Sequence, residues 1–232
     1  MLTLAIDTAS NRGVVGLVRD DALLAEHRWD LASTYSLELL SSIDALLVES
    51  AIARADIEAI AVCVGPGGYG GLRAGVATAQ GLALGLGVPL AGVGRLELDA
   101  LPYLTGASPV VAVHNAGSAG IAWACYEGGG AQDAPPRELQ SPRLGTPVEC
   151  ATAAPTGARF CGELTDELRD ALGARGWTEA SITATIARDR ARSLDMVRLA
   201  RAHRAFGDPA SVDVRYLRPP SITPPREATS RG

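Results

Sequence analysis

Residues 60–93 read IAVCVGPGGYGGLRAGVATAQGLALGLGVPLAGV. The run at 60–64 is apolar throughout, without alternation, which predicts a strand covered on both faces as in a parallel sheet. A glycine-rich loop follows at 65–71, and then the pattern predicts a helix at 72–86 and a second buried strand at 88–93. A strand, a helix and a parallel strand form a right-handed βαβ unit. This segment therefore predicts a parallel sheet at the centre of the fold.

Upstream of this unit, the sequence predicts a meander of three short strands at 2–6, 13–18 and 22–29. A helix is predicted at 34–50, because apolar residues recur there at helical spacing. A last helical segment is predicted at 95–104. Three strands, a helix and a βαβ unit in this order are typical of a ribonuclease-H-like half.

The second half of the chain carries weaker patterns. We predict strands at 110–113, 121–126 and 159–162, helices at 163–175 and 188–206, and a long loop rich in Gly and Pro at 128–147. The Pro-rich end predicts a disordered tail. We therefore expect an N-terminal ribonuclease-H-like lobe at 1–104, a smaller divergent C-terminal lobe at 105–218 and the tail at 219–232.

The composition excludes several kinds of chemistry. All 21 basic residues are Arg, against 26 acidic residues, for a net charge of −5, so neither a Schiff-base lysine nor a Walker-type phosphate lysine exists. The three histidines form no metal-binding pair and the four cysteines no CxxC motif. We therefore expect that the protein has no metal site. We also expect its cysteines to be buried free thiols.

The sequence also predicts a cytoplasmic protein. No apolar run reaches the roughly 18 residues that a membrane span requires, and the N-terminal residues lack the basic segment of a signal peptide. The acidic balance argues against a surface that coats nucleic acid.

The glycine loop matches the letters of a dinucleotide-binding fingerprint at Gly65, Gly67 and Gly70. It does not follow the first strand, Pro66 removes a backbone donor, and no acid ends the next strand, so the fingerprint is incomplete. Two interpretations stay open. Gly67 and Gly68 could hold an anion at the helix N terminus with Arg73 nearby, or the loop could be a turn that needs positive φ and close approach.

The helix after this loop has an unusually small face. Glycine costs a helix roughly 0.8–1 kcal/mol relative to alanine, so several glycines indicate a close backbone approach. That approach could be to this chain's own sheet or to a helix of another chain. On either interpretation Gly75→Leu would disrupt the fold or a partner interface. The face comprises Gly71, Gly75, Thr78, Ala79, Leu82 and Gly85.

The first predicted strand ends at Asp7, followed by Thr8 and, two residues later, Ser10. In actin-like and sugar-kinase-like ATPases an Asp in this position supports Mg²⁺, while nearby hydroxyls and amides approach phosphate. The alternative is an Asx-type turn that satisfies local backbone amides. The second half has no glycine cluster that follows an apolar strand, so a self-contained ATP site is poorly supported.

Six segments of the chain form a recognisable set: 4–8 (LAIDT), 36–47 (SLELLSSIDALL), 60–67 (IAVCVGPG), 73–85 (RAGVATAQGLALG), 88–93 (VPLAGV) and 214–218 (VRYLR). Together they resemble the bacterial TsaB (YeaZ) family. The resemblance is dense over residues 1–100 and sparse over 105–212. It implies an α/β fold of the actin-like ATPase type (ASKHA, ribonuclease-H-like), with two lobes of which the second is reduced.

The resemblance also implies a non-catalytic subunit of the complex that makes threonylcarbamoyladenosine on tRNA. Its partners would be a TsaD-like catalytic subunit and a TsaE-like ATPase, with tRNA reached only through the complex. Separately, an apolar, glycine-rich helix pair without its partner would tend to self-associate, so we expect the isolated chain to form a homodimer. No catalytic residue, metal or cofactor of its own is implied, Asp7, Thr8 and Ser10 would be a vestigial phosphate loop, and ATP or ADP would bind at the interface with the catalytic subunit. The implied partner interface comprises Tyr35, Leu39, Ile43, Leu46, Gly71, Gly75, Thr78, Ala79 and Leu82.

The sequence departs from the family pattern at several positions. Tyr35 and Leu37 replace a common His and Glu, and Gly68 and Gly70 replace two hydroxyl residues of the loop. An Asp-Ala-Arg segment of the second half becomes residues 115–117 (NAG). The alternatives to a TsaB-like subunit are an ATPase or kinase that uses Asp7 and Thr8, and a peptidase, for which no nucleophile beside a base is found.

Overall fold

The first sheet contains five strands, which follow one another along the chain as predicted. A computed structural model describes residues 1–10, 12–30, 35–130, 134–178, 181 and 191–217, without the side chains of 35–37. The strands are β1 (Leu2–Asp7), β2 (Arg12–Arg19), β3 (Ala22–Asp30), β4 (Ala59–Gly65) and β5 (Leu90–Gly94), arranged β3-β2-β1-β4-β5. The first three strands pair antiparallel, whereas β1, β4 and β5 run parallel. This arrangement confirms the predicted meander and βαβ unit.

The part of the chain that forms this sheet and the residues directly after it contain three helices: α1 (Tyr35–Glu49), α2 (Tyr69–Leu86) and α3 (Arg95–Ala100). Helix α2 begins three residues before its predicted start, because the Leu72 amide already donates to the Gly68 carbonyl at 2.9 Å. It ends at Gly87, whose left-handed conformation (φ 68°) lets its amide bond to carbonyls of the last turn.

The second sheet has the order β8-β7-β6-β9. Its strands are β6 (Val110–Asn115), β7 (Ile121–Glu127), β8 (Arg137–Gly145) and β9 (Arg159–Gly162), with α4 (Pro147–Ala153) and α5 (Asp166–Gly173) beside them. Strand β6 pairs antiparallel with β7 and parallel with β9, and β7 pairs antiparallel with β8.

The predicted loop at 128–147 is wrong, since β8 lies within it. As an edge strand with mostly exposed or half-buried side chains, β8 has no clear apolar alternation, and an edge tolerates Pro142. Helix α4 was not predicted either. Its signal was present, because Thr146 and Glu149 form a capping box and Pro147 occupies the first helical position.

Helix α6 (Arg192–Ala202) returns to the first sheet. It buries Met196, Val197 and Leu199 in one cluster with Ala5 and Ala61 of the first sheet. The chain then continues along the same sheet, where the Arg215 amide donates to the Val64 carbonyl of β4 at 2.8 Å. The predicted lobe boundaries therefore fail for 192–217, because the apolar face of α6 covers the first sheet. Residues 188–190 and the predicted tail lie outside the described part of the chain.

Helix α3 lies between the two sheets. Leu98 packs in a cluster with the first sheet, whereas Leu96 and Ala100 pack in a cluster with the second. All four cysteines are buried free thiols, as predicted: Cys63, Cys125, Cys150 and Cys161. Among the helices of the described residues, none has the length and apolar character needed to cross a membrane.

Candidate functional site

The loop after β1, the candidate phosphate loop, makes its hydrogen bonds within the chain. Asp7 Oδ1 accepts the Ala9 amide at 2.9 Å, and the Thr8 hydroxyl donates to the Gly71 carbonyl at 2.7 Å. The Ser10 hydroxyl donates to the Arg12 carbonyl at 2.9 Å. This is the Asx-type turn that the sequence left open as the alternative to a phosphate loop.

Arg192, the first residue of α6, supplies the countercharge for Asp7. Its Nε donates to Asp7 Oδ2, and its Nη1 donates to Asp99 Oδ1 at 2.7 Å. The Asp7 side chain is 0% exposed and that of Asp99 1%. A buried carboxylate needs a partner of opposite charge. Here this chain's own guanidinium provides it.

Arg95, the first residue of α3, connects the two sheets. Its Nη1 donates to the Ala9 carbonyl at 3.2 Å, and its Nη2 donates to Glu163 Oε1 at 2.5 Å. His114 Nδ1 lies 2.7 Å from Glu163 Oε2, and Asp99 Oδ2 lies 3.4 Å from Arg95 Nε. We refer to Asp7, Arg95, Asp99, His114, Glu163 and Arg192 as the interlobe network.

Within the interlobe network, pairing favours the ionised forms of Asp7, Glu163 and the two arginines. Burial alone would raise the pKa of Asp7, but the charge of Arg192 and a backbone hydrogen bond hold it below its ordinary value. Burial also opposes ionisation of Glu163, yet hydrogen bonding with His114 and the charge of Arg95 lower its pKa to about 2. Burial would lower the pKa values of both arginines, and the adjacent carboxylates raise them. Its two arginines and carboxylates therefore pair with each other.

The glycine loop is shaped by close approach to the loop after β1. Gly65 has φ 104°, and a Cβ at Gly67 would lie only 2.0 Å from the Ala9 carbonyl oxygen. The Gly68 amide donates to the same oxygen at 3.2 Å. These contacts match the interpretation of a turn that requires glycine. The Gly68 amide is engaged and is not free for an anion.

Arg73 is directed towards an aromatic pair at the surface. Its guanidinium carbon lies 5.1 Å from the ring centroid of Tyr69, and Nη1 donates to the hydroxyl of that tyrosine. Tyr69 stacks on Tyr216, with 5.4 Å between ring centroids, and the two residues are 48% and 41% exposed. We refer to Tyr69, Arg73 and Tyr216 as the tyrosine–arginine patch.

Helix α2 has a buried small face and an exposed one. Gly71, Gly75 and Ala79 are buried against this chain, so they do not form a free surface, contrary to the predicted interface. A Cβ at Gly75 would lie 2.2 Å from Thr8 Oγ1, which identifies the close approach as one within the chain. Of the other predicted contacts, Thr78 and Leu82 are half-buried.

Beyond the tyrosine–arginine patch, the exposed side of α2 combines small residues with the large residue Leu84. Gly81 and Gly85 have no heavy atom within 4 Å of an added Cβ. Leu84 is 64% exposed. One interpretation of the glycines was that α2 closely approaches a helix of another chain. Such an approach would have to use this exposed side of the helix.

The predicted contacts on α1 belong to the core. Leu39, Ile43 and Leu46 are at most 2% exposed, so the prediction that they contact a partner is wrong for this structure. Among the side chains of α1 that the structure describes, Leu40 and Val48 are the exposed large apolar ones, at 48% and 79%. The predicted contact Tyr35 begins α1, but its side chain lies outside the described residues.

Sequence reasoning missed most of the interlobe network. The available signal was position, since Asp7 ends β1 and Arg95 follows β5, and the carboxyl ends of these parallel strands meet at one edge of the sheet. Arg192 carried no comparable signal, because it lies 185 residues from Asp7. In the described ranges, no group of three or more His, Cys, Asp or Glu side chains is placed to hold a metal ion.

Comparisons with known proteins agree with this architecture. The model of the family described as "TsaD: tRNA N6-adenosine threonylcarbamoyltransferase" matches residues 30–149, just over half of the chain. The chain is 36% identical over 97 residues to the tRNA threonylcarbamoyladenosine biosynthesis protein TsaB of Bacillus subtilis, which covers 42% of each chain. It is 35% identical over 129 residues to the protein of the same name from Escherichia coli, 55% of each chain. The match spans about half the length of these curated relatives.

A solved structure shows the same fold over nearly the whole chain. YeaZ from Pseudomonas aeruginosa superposes with a TM-score of 0.73, covering 93% of this chain and 100% of that one, at 22% identity. The predicted actin-like (ASKHA) α/β fold is thereby confirmed. The chain belongs to the family described as TsaD, tRNA N6-adenosine threonylcarbamoyltransferase, and resembles the TsaB and YeaZ proteins.

Proposed function

We propose that this chain is a non-catalytic, TsaB-like subunit of the machinery that makes threonylcarbamoyladenosine on tRNA. The observation that carries the proposal is that Asp7 is already paired within the chain. In an actin-like ATPase, this residue would face a magnesium–nucleotide complex. Here Asp7 is buried and ion-paired with Arg192, and the Thr8 hydroxyl is engaged by α2. Breaking a buried ion pair by removing one partner costs roughly 3–5 kcal/mol, so a nucleotide would have to overcome this pairing.

The proposed role is to support a TsaD-like catalytic subunit through the outer faces of α1 and α2. These two helices pack side by side, and they expose Leu40, Val48 and Leu84. The tyrosine–arginine patch begins at the N-terminal end of α2. Tyrosine and arginine are enriched among the residues that dominate binding energy at protein interfaces.

The same proposal includes the nucleotide, the other members of the complex and the oligomeric state of the isolated chain. The chain has no cofactor of its own, and ATP or ADP binds at the interface with the catalytic subunit. A TsaE-like ATPase joins the pair in the cytoplasm, and tRNA is contacted through the partners, in keeping with the net charge of −5. Without its partner, the exposed apolar faces of α1 and α2 pair two copies of the chain.

Co-purification and titration with the TsaD-like protein of the same organism test this proposal. We expect binding at micromolar or lower concentration, and we expect Leu84→Asp and Leu40→Asp to weaken it about tenfold or more, because each buries a charge in an apolar contact. Val148→Asp is the matched control, since Val148 is 62% exposed but lies on α4 of the second lobe.

Two outcomes would contradict the proposal. One is the absence of binding at about 10 μM of both proteins, a concentration that populates a micromolar complex. The other is saturable binding of Mg-ATP to the isolated chain in calorimetry, which a self-contained ATPase using Asp7 and Thr8 requires. Circular dichroism of each variant would show that the fold is retained.

A further inference from the structure

Two buried carboxylates from different elements converge on one guanidinium. Arg192 Nε donates to Asp7 Oδ2, at the end of β1, and Arg192 Nη1 donates to Asp99 Oδ1, on α3, at 2.7 Å. The side chains of Asp7 and Asp99 are 0% and 1% exposed, whereas that of Arg192 is 16% exposed. Among these three side chains, Arg192 is the one that reaches solvent, so its truncation would open both carboxylates to water and ions.

The surrounding charges leave these carboxylates dependent on Arg192. The interlobe network contains three carboxylates, the third being that of Glu163, but two guanidinium groups. Without Arg192, the guanidinium of Arg95 would face all three carboxylates. Even with His114 protonated, at least one negative charge would then lack a counterion. Burial of such a charge is costly unless a cation enters from solvent.

Arg95 is not placed to substitute for Arg192. Its two Nη atoms are already engaged, with the Ala9 carbonyl at 3.2 Å and with Glu163 Oε1 at 2.5 Å. Its Nε lies 3.4 Å from Asp99 Oδ2 but forms no hydrogen bond within the described residues. The Oδ2 atom of Asp99 is itself buried and accepts no hydrogen bond there. A cation that entered this site would therefore find one carboxylate oxygen still unsatisfied.

Helix α6 has contacts other than those of Arg192 that hold it on the first sheet. The next residue, Ser193, donates its amide to Glu26 Oε2 at 2.8 Å. Met196 and Val197 are 0% exposed and pack in a cluster with that sheet. We therefore expect α6 to remain docked when the Arg192 side chain is shortened.

We propose that Arg192 is a built-in cation that closes a latent divalent-metal site formed by Asp7 and Asp99. Carboxylate oxygens suit hard cations such as Mg²⁺ and Mn²⁺, and Mg²⁺ binds through one or two carboxylates while it keeps several water molecules. With Arg192 in place the residues do not fit a metal ion, because the permanently charged guanidinium pairs with both carboxylates and repels a second cation. This inference goes beyond the proposed pairing with a catalytic subunit and does not depend on it.

Titration of the full chain with Mn²⁺ tests the proposal, with the free ion followed by electron paramagnetic resonance. We expect Arg192→Ala to bind one ion with a Kd of about 1 mM or tighter, and wild type to bind at least about tenfold more weakly. In about 10 mM MnCl₂ the thermal midpoint of Arg192→Ala should rise by about 3 °C or more, because the ion binds the folded state. The midpoint of wild type should be the same in MnCl₂ and in EDTA.

Two further variants locate the ion. Asp99→Asn, added to Arg192→Ala, removes one ligand charge and should lower the affinity for Mn²⁺ about tenfold or more. Arg201→Ala is the matched control, because Arg201 is another arginine of α6 that pairs with carboxylates. Its partners Asp20 and Asp21 are 70% and 76% exposed, so they stay hydrated when the arginine is removed. Arg201→Ala should bind Mn²⁺ as weakly as wild type.

Arg192→Ala decides the proposal even where its fold depends on the metal. If this variant is unfolded without metal, Mn²⁺ should restore its circular dichroism spectrum, since the free energy of metal binding then contributes to folding. A variant that binds Mn²⁺ no more tightly than wild type, or that stays unfolded in its presence, would overturn the proposal. Undiminished affinity after the addition of Asp99→Asn would overturn it as well. These measurements use the isolated chain, so their outcome is independent of binding to a TsaD-like partner.

Discussion

Thr8 and Gly75 show how a single contact joins the loop after β1 to helix α2. The Thr8 hydroxyl donates to the Gly71 carbonyl at 2.7 Å, and a Cβ at Gly75 would lie 2.2 Å from Thr8 Oγ1 but 3.4 Å from Thr8 Cβ. Glycine is therefore required at position 75 by the close approach of one hydroxyl oxygen. The predicted damage from Gly75→Leu accordingly belongs to this chain's own fold.

We expect Gly75→Ala to lower the free energy of unfolding by about 1–3 kcal/mol, because the added methyl group overpacks against Thr8. In a Thr8→Ala background the same substitution should cost much less, since the remaining neighbour at 3.4 Å is an ordinary contact. Urea unfolding of the four proteins measures this coupling in a double-mutant cycle. Additive effects of the two substitutions would contradict a direct contact.

The small residues of helix α2 lie on two sides of the helix, one buried and one exposed. Its buried side lies against the first lobe, whereas Gly81 and Gly85 contact nothing within 4 Å of an added Cβ. Each exposed glycine costs the helix roughly 0.8–1 kcal/mol relative to alanine. The isolated chain gains no packing in return. Under the proposed function, the compensating contact is made with the catalytic subunit.

Gly81→Ala and Gly85→Ala should therefore act in opposite directions on stability and on binding. Each should raise the free energy of unfolding of the isolated chain by up to about 1 kcal/mol. The added methyl groups should weaken binding of the TsaD-like partner, because they prevent close approach of the two surfaces. Thermal unfolding and calorimetric titration measure the two effects. Unchanged affinity would place the contact surface elsewhere.

The interlobe network joins the two sheets into one electrostatic unit. Arg95 contacts the loop after β1 on one side and Glu163, beyond β9, on the other. The Glu163 side chain is 33% exposed, so solvent screens part of its interaction with Arg95. Even so, its lowered pKa makes the stability of the whole molecule depend on pH.

The direction of that dependence follows from the pKa of Glu163, which falls from an ordinary 4.5 to about 2 on folding. Its contribution to stability is complete above about pH 4.5 and disappears as the pH falls towards 2. Glu163→Gln should therefore destabilise the chain at pH 7 by about 1–2 kcal/mol after screening. The difference from wild type should shrink below pH 4.5. Urea unfolding between pH 7 and pH 3 measures it, and a constant difference would contradict this role.

Local patterns predicted the first lobe well and the second less well. The continuous apolar run at 60–64 lies in β4, which is fully buried, so the sequence pattern predicted its burial on both faces. The edge strand β8 was missed because its exposed side chains carry no apolar period. The prediction that buried residues of α1 contact a partner was wrong for a related reason. An apolar stripe that includes Leu39 and Ile43 packs equally well on a sheet or on a partner, and periodicity does not distinguish the two.

The sequence by itself determined the succession of strands and helices along the first lobe, the free thiols and the absence of lysine chemistry, because these depend on composition and on neighbouring residues. Only the tertiary structure decided that Asp7 is neutralised by Arg192 and that the glycines of α2 divide between a buried and an exposed face. The physical reason is distance along the chain. An ion pair between residues 185 positions apart exists only after the second half has folded back onto the first sheet.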